Sequence, residues 1–234
     1  EKKDIDYFNY GKFENVKFWR RLGGKPNFKD KNILDFGCGH GSLCIEIAKS
    51  EAKFVNGIDL SDNLLNFAKK NLVQNFTTLE NKISFEKKDL LNAHFNKQYD
   101  FIVTKDTFEH TVNLPQILDR FYEILKSDGK VYIGFGPLYN AYKGDHGRTQ
   151  LKLPWMHVIL PERFIISRYN KKNKNQISKI QDLGLSKYSF REYLDIFNKS
   201  KFKIEYFRTN KSDHPISKIF NFLSKFELLR EYFT

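Results

Sequence analysis

The chain of 234 residues is 40% apolar and 29% charged, and its formal net charge is +12. This composition predicts one soluble globular domain and excludes a disordered or membrane-spanning chain, because no apolar run approaches the length that crosses a bilayer. The basic balance suits an anionic substrate, a nucleic acid or an acidic membrane surface, and does not choose among them.

Five short apolar stretches have the composition of buried strands, and the amphipathic stretches between them have helical periodicity. The strands are predicted over residues 31–36, 53–58, 82–85, 101–104 and 130–135. Helices are predicted over residues 42–50, over 61–74 with Ser61 as the cap, and along the apolar positions from Leu114 to Leu125. The alternation predicts an α/β fold, a Rossmann-like doubly wound and mostly parallel sheet with helices on both faces.

The other segments are assigned around this core. Residues 137–188 lack clear periodicity and are predicted to form an inserted cap after the fifth strand, covering the substrate. The predicted boundaries are an N-terminal helical segment at 1–30, the core at 31–136, the cap at 137–188 and a completing segment at 189–234.

The completing segment is predicted to contain three elements. A helix is expected over Phe190–Asn198, and the alternation over Phe202–Phe207 predicts a strand. Residues 214–233 form a basic amphipathic pattern that predicts one helix. That helix either packs on the protein or on a partner subunit, or makes a peripheral contact with a membrane surface.

A glycine-rich turn follows the first predicted strand, in the order Asp35-Phe-Gly-Cys-Gly-His-Gly41. Glycines at alternate positions let the backbone turn tightly and let a ligand approach it. Asp59, at the end of the second strand, lies where a ribose-binding carboxylate is found in nucleotide-binding βαβ units. Asp35 would repel a pyrophosphate and attract an ammonium or sulfonium cation, and the spacing differs from G-x-G-x-x-G. A related NAD-binding fold stays open as the alternative.

Four ordered motifs resemble those of class I S-adenosylmethionine-dependent methyltransferases: D-x-G-C-G-x-G, then G-I-D-L-S, K-D-L and Y-D-x-I. The resemblance covers residues 31–136 and implies S-adenosylmethionine as the cofactor. It assigns the methionine part to the glycine turn, the ribose to Asp59 and the adenine to Leu60, Asp89 and Leu90. The cofactor-binding residues that it implies are Asp35, Gly37, Cys38, Gly39, Asp59, Leu60, Asp89, Leu90, Lys105 and Asp106.

Methyl transfer to a hydroxyl requires a group that removes a proton. The candidates are Glu109 and His110 after the fourth strand, with His146 and His157 further along the chain. A histidine with a pKa near neutrality can serve as such a base. The simpler interpretation is that Glu109 and His110 only open the following helix and line the pocket.

Metal assistance is the alternative. Asp106, Glu109 and His110 have the spacing D-x-x-E-H, which puts the three side chains on one face of a helical turn. A divalent ion, Mn²⁺ or Mg²⁺, would need a fourth ligand, which His157 could supply, with His146 as the other choice. The pattern is similar to the E-x-x-E-H metal motif of small-RNA 2′-O-methyltransferases, except that the first acid is Asp.

Within the predicted cap, residues 144–164 resemble inserted regions of bacterial small-molecule methyltransferases. Tyr139, Tyr142, Trp155 and Met156 are candidates for an apolar acceptor wall. The candidate anion-binding cations are Arg148, Lys152 and Arg163.

The predicted function is methyl transfer to an oxygen, with nitrogen as the second choice, of a small anionic acceptor. A nucleotide- or sugar-linked precursor of a surface polysaccharide is the expected example. The alternative is an RNA methyltransferase with a metal-assisted 2′-O mechanism, and a third hypothesis is a cofactor-binding fold without catalysis. The sequence shows no clear basic stripe interleaved with stacking aromatic residues, which disfavours a nucleic-acid partner.

The two cysteines, Cys38 and Cys44, lie in one short segment and predict neither a disulfide framework nor a thiolate zinc site. The first residues, EKKDIDYF, contain no apolar signal core. We therefore expect a protein of the reducing cytoplasm. Its oligomeric state is not predicted.

Overall fold

The computed structural model describes residues 2–95, 98–210 and 215–234. Five strands form one parallel sheet in the order β3-β2-β1-β4-β5. They are β1 (Asn32–Phe36), β2 (Phe54–Asp59), β3 (Ile83–Lys87), β4 (Tyr99–Lys105) and β5 (Leu125–Gly134). The sheet confirms the predicted α/β, Rossmann-like fold. Its strand order reverses between β1 and β4, which is where such folds bind their ligands.

The chain divides into two compact units. Unit 1 contains Glu1–Thr107 and Gln116–Gly134, and unit 2 contains Phe108–Pro115 and Phe135–Thr234. The predicted cap and the predicted completing segment therefore belong to the same unit. Their separation at residue 188 stays a prediction.

In unit 1 the helices cover the sheet because their apolar faces are buried. They are α1 (Lys2–Arg21), α2 (Ser42–Lys49), α3 (Asp62–Asn75) and α4 (Leu114–Ile124), whose first two residues belong to unit 2. Ser61 is the predicted cap of α3 and its hydroxyl accepts the Leu64 N–H at 3.5 Å, which confirms the cap. Helix α1 packs so closely on the start of α2 that a Cβ on Gly11 would collide with Ser42 Oγ.

The fifth strand begins earlier than predicted. The sequence predicted a strand starting at Lys130, but β5 already pairs with β4 at Leu125. Tyr99 pairs with Leu125 and Phe101 pairs with Lys130, so the residues between them bulge out of the ladder. Asp128 and Gly129, a typical turn pair, lie in this irregularity, and local propensity does not distinguish it from a strand boundary.

Unit 2 is built from short helices joined by turns. They are α5 (Met156–Ile159), α6 (Glu162–Lys172), α7 (Phe190–Lys199), α8 (Pro215–Leu223) and α9 (Glu227–Arg230). A small core of Tyr139, Ile165, Ile180 and Leu185 holds α6 against the loops around it. The helices α5 and α6 lie inside the predicted cap.

Two predictions in unit 2 are wrong. Residues 202–207 form no strand, and Ile204 and Tyr206, which share one face in the alternation, are both exposed. A strand requires a paired partner and a buried face, and the pattern supplied neither. The single C-terminal helix is instead two helices, because the Ser224 hydroxyl bonds the Asn221 carbonyl at the end of α8 and Phe226 is extended. Residue 214, where the prediction began, lies outside the described residues.

Within the described ranges, no helix has both the length and the apolar character needed to cross a bilayer.

Candidate active site

The glycine-rich turn between β1 and α2 has the left-handed backbone that its glycines allow. Gly37 has φ 76° and Gly39 has φ 51°. A Cβ on Gly37 would collide with the Thr107 hydroxyl, whereas a Cβ on Gly39 would have nothing within 4 Å. The backbone N–H groups of Gly37 and Cys38 both donate to the Ile58 carbonyl, at 2.9 and 3.0 Å. The turn is therefore fixed to the end of β2 on one side and open on the other.

The Asp59 carboxylate holds the turn through hydrogen bonds to two backbone N–H groups. Its Oδ2 accepts the Gly39 N–H at 2.9 Å, and its Oδ1 accepts the Ser61 N–H at 2.9 Å. The carboxylate is half-buried, and the side chain of Leu60 beside it is 66% exposed. Each carboxylate oxygen can accept more than one hydrogen bond, so the fixed group can still receive the two hydroxyls of a ribose. Asp59 and Leu60 therefore fit the ribose and adenine of the implied cofactor.

Asp35 lies beneath the turn, with 1% of its surface exposed. Burial raises the pKa of its carboxyl to about 6, and the Cys44 thiol, which donates at 3.0 Å, lowers it only in part. Lys105 also lowers this pKa, and its own pKa is lowered by burial. The carboxyl thus lacks the full solvation of an exposed acid. It fits the role of receiving a cation such as the ammonium of the methionine part.

Lys105 contacts a residue that the sequence did not indicate as part of the site. Its ammonium donates to the Asn15 Oδ1 of α1 at 2.7 Å, and Asn15 is fully buried. Its place in the sequence gave a signal, because Asn15 is the polar member of the buried stripe of α1. That stripe consists of Phe8, Gly11, Asn15, Phe18 and Trp19. A polar residue on the apolar face of a helix requires a buried partner.

Asp106 is the first residue after β4. Its backbone has φ 53°, and its N–H donates to the Gly134 carbonyl at 2.8 Å. Burial raises the pKa of its carboxyl, and Lys105 opposes that shift. Asp is among the residues that adopt this backbone conformation most readily, and here it places Asp106 next to the switch point of the sheet.

Asp89 and Leu90 are placed differently from the other predicted cofactor residues. The carboxylate of Asp89 is exposed and caps its own turn, accepting the Leu91 N–H at 3.0 Å and the Asn92 amide at 2.6 Å. Leu90 is almost fully buried. Asp89 keeps the turn after β3 in shape, and its predicted contact with the adenine amine stays a prediction.

A second group of polar side chains lies in unit 2. Single ligand atoms of Glu109, His110 and His146 all lie within 4.8 Å of one another. Glu109 is 4% exposed and its Oε1 accepts the Gly136 N–H at 3.3 Å. The two imidazole rings have their centroids 4.9 Å apart. This cluster offers groups that could accept a proton or bind a metal ion.

The partners of His110 define its tautomer. Its Nδ1 lies 2.8 Å from the Gly184 carbonyl, which can only accept, so Nδ1 carries the hydrogen. Its Nε2 lies 3.3 Å from Nη2 of Arg148, which can only donate. Burial, then the Arg148 charge, then His146 lower the pKa of His110 to about 4. The pKa of His146 is lowered as well, first by burial. Both imidazoles are therefore neutral at neutral pH.

The predicted metal ligands do not all join this cluster. His146, the alternative fourth ligand, lies with Glu109 and His110, whereas Asp106 and His157 are not members of the group. His157 is 3% exposed, with Nε2 2.6 Å from the Tyr139 carbonyl and Nδ1 3.9 Å from Asp145. These contacts give His157 a structural place inside unit 2. Sequence spacing alone did not distinguish the two histidines.

The cation Arg148, predicted to bind an anion, is exposed and held by the backbone. Its Nη1 donates to the carbonyls of Leu183 and Gly184, at 2.6 and 2.9 Å. A guanidinium fixed in this way keeps donors for a further anionic partner.

Comparison with known proteins places the chain in a methyltransferase family. A family model described as a methyltransferase domain matches residues 10–175. Phosphoethanolamine N-methyltransferase 2 of Caenorhabditis elegans is 29% identical over 56% of the chain and 30% of that protein. Phosphoethanolamine N-methyltransferase 1 of Zea mays is 28% identical over 85% of the chain and 42% of that protein. The chain thus spans less than half the length of these curated relatives.

Among solved structures, an S-adenosylmethionine dependent methyltransferase from Mesorhizobium loti superposes with a TM-score of 0.41. It is 22% identical, over 46% of this chain and 47% of that one.

The burial of Asp35 predicts a specific dependence of stability on pH. Its pKa is about 6 in the folded chain against an ordinary value of 3.8, so the folded state holds the proton more tightly. As the pH rises from 4 to 7, ionisation of Asp35 should reduce the free energy of unfolding by about 2 kcal/mol. Asp35→Asn should lack this component. Urea unfolding of both proteins across that range measures it, and a difference between them that does not change with pH would contradict it.

Proposed function

The chain belongs to the methyltransferase domain family, and we propose that it transfers a methyl group from S-adenosylmethionine to a small acceptor with an anionic group. The observation that carries this proposal is the Asp59 carboxylate, held between the Gly39 and Ser61 N–H groups beside an open glycine turn. This is the geometry that a nucleoside diol requires at the end of a parallel strand.

The chain's own residues would hold the cofactor in three places. Asp59 would accept the ribose hydroxyls, the turn at Gly37 and Gly39 would lie against the methionine part, and Asp35 would pair with its ammonium. The bound cofactor supplies an electrophilic methyl group on a sulfonium. The residues of the turn then have to bind and orient it, because in-line transfer depends on alignment.

We place nitrogen before oxygen as the acceptor atom. The sequence favoured oxygen, but the two relatives named above are phosphoethanolamine N-methyltransferases, which points to an amine. Their named substrate also combines the amine with a phosphate. The exposed guanidinium of Arg148 supports a phosphate-bearing acceptor here, since arginine binds phosphate through paired hydrogen bonds. The surface-polysaccharide precursor has no such support and is not part of this proposal.

An amine attacks a methyl group only as the neutral base, so its ammonium proton has to leave first. We assign its removal to the cluster of Glu109, His110 and His146. The Nε2 lone pair of His110 receives an N–H from Arg148 in this structure. An acceptor phosphate that takes the Arg148 donor would release that lone pair and reduce the positive field on His110. Binding of the anion would in this way raise the basicity of His110. His157, whose Nε2 lies on a backbone carbonyl, has no part in this step.

Transfer of tritium from methyl-labelled S-adenosylmethionine tests the proposal. We expect label in phosphoethanolamine at a rate at least about tenfold above ethanolamine, because the charged contact to the phosphate is lost in the second compound. Bulk RNA should remain unlabelled. Label in RNA alone, with a steep dependence on salt, would establish the RNA methyltransferase instead. Cofactor binding without label in any acceptor would favour the fold that has lost catalysis.

A metal-assisted mechanism is the second candidate, favoured by the three ligand atoms within 4.8 Å of one another. The same cluster contains a feature that opposes a dication, because the Arg148 guanidinium lies on the His110 nitrogen that would bind it. We therefore propose proton transfer without a metal.

Chelation separates the two mechanisms. Treatment with EDTA should leave the rate unchanged, and His110→Ala should lower kcat by about a hundredfold, the usual effect of losing a proton acceptor. His157→Gln serves as the matched histidine control and should change stability more than kcat. Activity that EDTA abolishes and Mn²⁺ restores would contradict the proposal and establish the metal.

A further inference from the structure

The C-terminal part of unit 2 exposes large apolar side chains along one line. Ile219 and Phe222 of α8, three positions apart, are each 59% exposed, and Phe226 is 52% exposed. The rings of Phe222 and Phe226 contact each other edge to face, with centroids 5.6 Å apart. We call this surface, with Lys218 and Lys225, the C-terminal face. In this apolar ridge Phe222 and Phe226 are in contact, and Ile219 lies about one helical turn from Phe222.

Helix α8, which carries Ile219 and Phe222, contacts the rest of unit 2 through Phe220. Phe220 packs with its ring centroid 6.0 Å from Tyr142, 6.2 Å from Trp155 and 5.1 Å from Phe233. The Trp155 indole N–H also donates to the Tyr232 carbonyl at 3.1 Å. Phe220 is half-buried by these contacts, whereas Ile219 and Phe222 lie on a part of the α8 surface that stays exposed.

A groove beside the ridge combines apolar walls with cations. It has a volume of about 490 Å³, and its lining includes Phe190, Leu194 and Phe207 together with Lys225 and Arg230. The Arg230 guanidinium lies 5.9 Å from the Phe190 ring centroid, and its Nε donates to the Ser224 carbonyl. An occupant that matches this lining has an apolar part and a negative charge.

The charges of the segment favour the same kind of occupant. The described residues between 199 and 234 include seven lysines and arginines but only three glutamates. One of those acids, Glu231, forms hydrogen bonds within unit 2, since its carboxylate accepts the Asn140 amide at 2.8 Å and the Phe190 N–H at 2.9 Å. Lys218 and Lys225 flank the apolar ridge and are exposed. An apolar ridge with flanking lysines is the pattern of helices that lie in a membrane interface.

We propose that the C-terminal face binds the surface of an anionic phospholipid bilayer. Ile219, Phe222 and Phe226 enter the boundary between head groups and acyl chains, and Lys218 and Lys225 contact the lipid phosphates. The formal net charge of +12 adds attraction at longer range. This inference does not depend on the methyl acceptor, because the residues that carry it are separate from the glycine turn and from the histidine cluster.

Sedimentation with vesicles tests the proposal on the full chain. Vesicles of phosphatidylcholine containing phosphatidylglycerol should bind the protein at least about tenfold more tightly than pure phosphatidylcholine, since each lysine near an anionic surface contributes to binding. Phe222→Glu should reduce this binding at least about tenfold by placing a charge in the interface. The double substitution Lys218→Glu and Lys225→Glu should remove the preference for anionic vesicles.

Phe13→Glu is the matched control, because Phe13 of α1 is also an exposed phenylalanine, with 70% of its surface accessible. It should bind vesicles like the parent chain. Circular dichroism and thermal unfolding check that each variant is folded.

Three results would overturn the proposal. The first is equal binding to neutral and anionic vesicles, or no binding to either. The second is an equal loss of binding in Phe13→Glu and Phe222→Glu, which would show that exposed aromatic residues contribute to vesicle binding wherever they lie. The third is a size-exclusion profile in which the parent chain is a dimer and Phe222→Glu a monomer, which would make a second copy the occupant.

Discussion

The candidate cofactor site depends on one carboxylate that bonds two backbone segments at once. Asp59 ends β2, and through its two oxygens it fixes both the glycine turn after β1 and the first residues of α3. Because β1 and β2 pair in parallel, their carboxyl ends meet at the same edge of the sheet, which makes this bridge possible. Without it, Gly39 would lose its contact with the end of β2, and the turn would be held there through the Gly37 and Cys38 N–H groups.

A buried polar centre lies behind this bridge, and it constrains the cofactor end of unit 1. Asp35, Cys44, Lys105 and Asn15 are bound to one another or close enough to shift each other's pKa. Desolvation keeps the Asp35 carboxyl from ionising as readily as an exposed acid. A cationic group bound beside it would offset that cost, so a bound ligand ammonium would recover part of the free energy lost to burial. Binding at this side chain would then also stabilise the fold.

The sequence predicted the parts of the molecule that follow local patterns. Buried apolar runs defined the five strands, Ser61 defined a helix start, and the turn with Asp59 indicated a nucleoside site. Contacts between residues far apart in the chain could not be predicted in this way. No local pattern indicated that Asn15 contacts Lys105, or that His146 and not His157 lies with Glu109 and His110. The false strand at 202–207 arose because alternation in an exposed segment resembles alternation in a sheet.

The central claim is that Asp59 forms the nucleoside end of a methyltransferase cofactor site. Calorimetric titration of S-adenosylhomocysteine into the chain, Asp59→Ala and Asp62→Ala tests it most directly. Asp62 is an exposed acid three residues away that pairs with Lys87 at 2.5 Å. Asp62→Ala therefore removes the same charge as Asp59→Ala and serves as the control. We predict that Asp59→Ala weakens binding at least about tenfold, as expected for losing hydrogen bonds to a charged group, while Asp62→Ala binds like the parent. Equal affinity for all three proteins would contradict the claim.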